Sequence, residues 1–123
     1  MKNNDQKQFA GVWVDHKNAV IITKETAGYA VKEKIDAPSG FEAESEHHRN
    51  NAKHADLLSY FKSLSGHLQS YDQLLLFGTG IAQEQLQNYL KEDAKFNDTK
   101  ITVENTGHLT DHQMIAKVRE FFN

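Results

Sequence analysis

The chain has no cysteine. That excludes disulfides, thiol nucleophiles and thiolate metal sites, and it fits a reducing compartment. Long apolar runs are missing too. The longest, Ala19 to Ile22, is far too short to span a membrane. The opening "MKNNDQKQ" carries no apolar core of the kind a secretory signal needs. There is no basic excess: formal charge is −3 and the pI about 6.1. A dedicated nucleic-acid binder usually has one, so any RNA contact must come from a local patch, and no DNA partner is expected. Proline occurs once, at Pro38. From these absences a soluble, cytoplasmic protein is expected.

What is present is 123 residues, the size of one domain, enough to bury a core without covalent staples. Residues 1–8 are polar and expected to fray; residues 9–123 are expected to form one domain, since no linker, repeat or low-complexity tract divides them. "FAGVWVD" alternates and reads as a strand from Phe9 to Asp15. "HKN" is a tight turn, with Asn18 suited to it. "AVIITKE" is a second strand, apolar on both faces at Val20, Ile21 and Ile22. "YAVKEKIDA" alternates, with Tyr29, Val31 and Ile35 on one side and Lys32, Lys34 and Asp36 on the other. Three strands joined by short turns predict an antiparallel meander.

Pro38 then opens the longest irregular stretch, "PSGFEAESEHHR". Asn50 or Asn51 is the expected N-cap of the helix that follows, with Leu57, Leu58, Phe61, Leu64 and Leu68 as its apolar stripe. "LLLF", residues 74–77, is a buried strand. The next helix turns Ala82, Leu86, Tyr89 and Leu90 to one side. "TKITVEN" is the fifth strand. The last helix is expected at Thr110, where Thr110 and Gln113 have capping-box spacing and Asp111 suits the helix dipole. Met114, Ile115, Val118, Phe121 and Phe122 form its buried face. The order βββ-α-β-α-β-α predicts an α/β, ribonuclease-H-like, three-layer domain with a mixed five-stranded sheet.

The chemistry-bearing residues are less decisive. Asp15 ends the first strand, where a ribonuclease would place a metal-binding acid, but no acid follows the fourth strand. A turn-initiating aspartate is the expected role. "FGTG" joins a strand to a helix, so Gly78, Thr79 and Gly80 are a candidate anion-binding turn, though no Lys-Ser/Thr follows. The seven histidines include His47 and His48 within "SEHHRNNAKH", and His108 and His112 four apart. No His-Glu-x-x-His signature exists, and no metal site or cofactor is assigned. His47-His48-Arg49 remains the unexplained cluster. Cations are unfavourable at a helix start, so they point to an anionic partner or to Glu42, Glu44 and Glu46.

Three pieces, "GVWVDHKNAVII", "LLLFGTGIAQEQL" and "TDHQMIAKVREFF", occur in this order. They resemble bacterial relatives of the middle domain of archaeal and eukaryotic peptide-chain release factors and Pelota, within the translational-machinery group. The most specific piece is Thr110 to Phe122, similar to a Thr-x-x-Gln-(hydrophobic)-x-Ala-x-Val-Arg-x-(aromatic)-Phe ending of a small bacterial family. Phe77-Gly78-Thr79-Gly80 resembles that family's Phe-Gly-Pro-Gly turn, with Thr79 for proline, and Gln83 stands where a lysine is often found. The resemblance implies the fold and a ribosome-linked ancestry. It does not carry over peptide release: release factors keep Gly-Gly-Gln between the third strand and the first helix, and this chain has Pro38 to Arg49 there.

The leading expectation is therefore a non-catalytic protein associated with the ribosome or translation factors, in rescue or stress. His47, His48, Arg49, Asn50 and Lys53 would contact RNA or a partner. One rival is an RNA hydrolase or metal-dependent enzyme using His47, His48 and Arg49. Another is a structural homo-oligomer.

Overall fold

The computed structural model describes residues 7–38 and 46–122, with 46–55 as backbone only. Five strands and three helices follow in the expected order. They are β1 (Phe9–Val14), β2 (Asn18–Glu25), β3 (Gly28–Asp36), α1 (Glu46–Leu68), β4 (Gln73–Gly78), α2 (Ala82–Lys91), β5 (Lys100–Asn105) and α3 (Asp111–Phe122). One 3-10 turn, Ala94–Phe96, lies between α2 and β5. The sheet is mixed, ordered β3-β2-β1-β4-β5. β1 pairs antiparallel with β2 and parallel with β4, and β5 adds parallel to β4. Among the described residues no helix is long and apolar enough to cross a membrane.

β1 ends at Val14 rather than Asp15 because Asp15 is used by the turn. Its carboxylate accepts the amides of Lys17 and Asn18, both at 2.8 Å. An aspartate in this geometry starts a turn, as its neighbours suggested. At the other end Gln8, placed by sequence in the frayed segment, donates its amide to Asp72 and accepts the Asp72 amide in return.

β3 departs from simple alternation. Ile21 faces Glu33 but Ile22 faces Val31, so Lys32 is an extra residue, a β-bulge. The bulge reverses the side-chain phase. Tyr29 and Val31 pack with the α3 layer, whereas Ile35 packs with α1 and α2. The expected grouping of Tyr29, Val31 and Ile35 on one side is thus corrected. The charged residues confirm the phase: Glu33 lies 3.7 Å from His67 on α1, and Lys34 pairs at 3.0 Å with Asp111 on α3.

The sheet separates two apolar layers. On one side Val12, Ile21, Leu74 and Leu76 meet Tyr60, Phe61, Leu64 and Leu68 of α1 and Leu86 and Leu90 of α2. On the other, Trp13, Val20, Ile22, Leu75 and Phe77 meet Met114 and Val118 of α3. Each buried leucine here contributes about 2 kcal/mol from removing its surface from water. α3 is pinned at both ends. Thr110 and Gln113 exchange the two bonds of a capping box, at 2.8 and 3.2 Å, and Phe122 stacks on Phe9 with ring centres 4.9 Å apart. Gly11 lies beneath α3, where a β-carbon would overlap the Val118 side chain.

Two helical expectations are corrected. α1 begins at Glu46, not at Asn50 or Asn51. No proline or glycine interrupts residues 41–65, and a glutamate at the first turn suits the dipole, so the helix runs past the asparagines. Leu58 leaves the stripe and is 44% exposed, while Tyr60 replaces it in the core. In α3, Phe121 is likewise outward.

Candidate functional site

β1, β4 and β5 all run the same way, and their carboxyl ends form one edge. The connections leaving β1 and β4 diverge there, β1 turning to β2 and β4 to α2 and β5. Open α/β sheets commonly bind ligands at the carboxyl ends of their strands. Here that edge carries Asp15 and His16 after β1, Gly78-Thr79-Gly80 after β4, and Asn105 and Thr106 at the end of β5.

The glycine turn is built from inside. Gln83 is fully buried and donates from Nε2 to the Gly80 carbonyl at 2.9 Å, with the Gly78 carbonyl at 3.5 Å. Asn105 donates to the Gly80 carbonyl at 3.1 Å, and the Thr106 amide to Gly78 at 2.7 Å. Every carbonyl of the turn therefore faces protein donors. A side-chain donor at position 83 serves the turn itself rather than an outside anion, which explains why glutamine works where lysine was expected. Gly78 is required for a different reason: a β-carbon there would overlap the Val14 carbonyl of the adjoining strand.

α2 starts at this turn with Ile81 as its N-cap, and no side chain caps it. Isoleucine is among the poorest residues for that position. It is also 56% exposed. Periodicity does not mark Ile81; its one signal in the sequence is an apolar residue where serine or aspartate is normal. Beside it, His16 Nε2 lies 2.7 Å from Gln85 Oε1. This bond ties the turn after β1 to the first turns of α2. The Asp15 carboxylate is turned to its own loop amides, not to His16. Among the described residues no group of three His, Asp or Glu side chains could hold a metal ion.

α1 reaches the same edge. Tyr60 donates its hydroxyl to the Asp15 carbonyl at 3.0 Å, while Leu68 ends the helix near the start of β4. Leu57 still packs against the core, so it is the turns of α1 before it that lie toward and past the carboxyl edge. His47, His48, Arg49, Asn50 and Lys53 lie on those turns. They are helical rather than in a loop, and their side chains are outside the described residues, as is the stretch 39–45. Two features separated in sequence, the basic cluster and the Gly78–Gly80 turn, so belong to one end of the fold.

Tyr60 gives this end a measurable pH signature. Burial, then the negative charges of Asp15 and Asp36, push its phenol well above its ordinary value of 10.0. The folded state therefore keeps a proton that the unfolded chain loses near pH 10. Stability from this group is intact below pH 10 and declines as pH rises beyond it. Tyr60→Phe is expected to cost about 1 kcal/mol at neutral pH and to flatten that alkaline decline in urea unfolding. Parallel pH curves for the two proteins would count against the assignment.

No family model matches the chain, and no curated protein matches it. Solved structures do. Pelota from Archaeoglobus fulgidus superposes with a TM-score of 0.63 over 92% of this chain, at 14% identity. The fold is release-factor-like. Pelota from Thermoplasma acidophilum gives 0.61 over 87% at 17% identity, and the archaeal termination factor aRF1 gives 0.59 over 90% at 11%. The chain spans about one third of each release-factor-like protein: 31%, 30% and 33% respectively.

Proposed function

We propose that this chain is a cytoplasmic, non-catalytic protein that associates with the ribosome or with translation factors, acting in rescue or stress. The observation that carries the reading is the likeness, over 89% of the chain and with a TM-score of 0.59, to archaeal Pelota in its ribosome-bound form with ABCE1. The sheet order β3-β2-β1-β4-β5 further supports a ribonuclease-H-like layout. A non-catalytic role is supported by the sequence, which has no Gly-Gly-Gln.

The contact surface in this reading is the carboxyl edge of the sheet. His47, His48, Arg49, Asn50 and Lys53 on the start of α1 meet RNA phosphates and bases, and the Gly78-Thr79-Gly80 turn and exposed Ile81 belong to the same end of the fold. Phosphate contacts of this kind weaken steeply with salt. Tagged protein is expected to sediment with ribosomes at low salt and to be released at moderate salt. A triple change His47→Ala, His48→Ala, Arg49→Ala reduces the bound fraction. Absence from ribosomal fractions at every salt concentration overturns the reading.

A further inference from the structure

The opposite end of the sheet, at the start of β1, carries a cleft that the ribosome reading leaves unused. It has a volume of about 390 Å³, within the range of small-molecule sites. Lys7, Lys24 and Lys32 line it, together with Thr23, Glu25 and Tyr71. Three lysines and one glutamate thus line it, in a chain whose net charge is −3. The positive charge is local and not a share of general basicity.

Among the described residues no carboxylate is seen in an ion pair with these lysines; the carboxylate ion pairs go to Lys34, His67 and Lys117. Glu25 accepts the hydroxyl of Thr23, itself buried. Lys32 is the extra residue of the β3 bulge, without a ladder partner, and bulges commonly re-aim a side chain next to a site. Its ammonium reaches the Tyr71 hydroxyl at 3.4 Å. That oxygen accepts, so the phenol hydrogen of the nearly buried Tyr71 remains to donate into the cleft. The lining is rich in donors and poor in acceptors. Its complement is an acceptor-rich polyanion.

We propose that this cleft binds the phosphate of a nucleotide-sized ligand, held by Lys7, Lys24, Lys32 and the Tyr71 hydroxyl. The site lies at the far end of the strands from the surface assigned to the ribosome, so either can fail without the other. The phosphate can belong to a free nucleotide or to an RNA strand, and the two are separable. The full chain is titrated calorimetrically with adenosine monophosphate and with a short oligouridylate, at roughly 50 mM salt where phosphate contacts are strong. At least one probe is expected to bind with Kd below about 1 mM. Saturation by the mononucleotide identifies a free nucleotide; binding of the oligouridylate alone identifies an RNA backbone. In both cases Lys24→Gln and Lys32→Gln each weaken binding about tenfold, the loss of one charge-assisted contact. Lys34→Gln, which removes the pair to Asp111 at the other end, leaves it unchanged. Binding of neither probe, or equal effects of all three substitutions, overturns the proposal.

Discussion

Gly78→Ala is expected to destabilise the protein by about 3 kcal/mol or more, at the upper end of overpacking effects. The added β-carbon meets the Val14 carbonyl, which is backbone, and comes within 3.0 Å of Gln83 Oε1. Neither neighbour has room to retreat. Val14 belongs to the central strand, bonded on both sides, and Gln83 is fully buried with its amide nitrogen committed to the turn. Gly80, two residues on, has nothing within 4 Å of such a carbon. Gly80→Ala should therefore stay within about 0.5 kcal/mol of the parent. Urea unfolding of both variants is the check, and similar costs for the two would mean that the Val14 contact is not what demands glycine.

Gly11→Ala is expected to cost about 2 kcal/mol for a related but softer reason. Here the obstacle is the Val118 side chain, and a side chain can be shortened. Val118→Ala alone also destabilises, by roughly 1–3 kcal/mol, because it leaves a gap under α3. Combined, the two changes should cost at least about 1 kcal/mol less than their sum, since the new methyl occupies part of the vacated space. Strict additivity in a double-mutant cycle would show that α3 does not seat on Gly11 through Val118.

Gly78 against Val14 and Gly11 against Val118 are contacts between residues far apart in sequence, which spacing alone does not reveal. Local periodicity was enough for β4, for α2 and for α3, whose capping box at Thr110 and Gln113 is a short-range pattern realised as such. The mixed five-stranded sheet followed from element order. The bulge at Lys32 was not legible, because it exists only in the pairing of β3 with β2. Asn50 and Asn51 are good caps in isolation, yet α1 starts before them because nothing upstream in the sequence stops it. Hydrophobicity alone turns Leu58 inward, although Tyr60 is the residue with a bond to make across the core, to the Asp15 carbonyl. The sequence marks Gln83 only by what it replaces; its burial shows what it does. The site as a whole could not be read from spacing. Asp15, the Gly78–Gly80 turn and the first turns of α1 come to one end of the fold because the parallel strands end together.

The bulge has a consequence for ancestry. Its extra residue shifts the phase of β3, so the residues before and after Lys32 answer to different partners. A relative with a straight third strand would keep the same contacts with one residue fewer. Matched to this chain without a gap, its solvent-facing positions would fall opposite core positions along half the strand. Kinship between the two would then be weakest on paper in the very strand where their packing agrees.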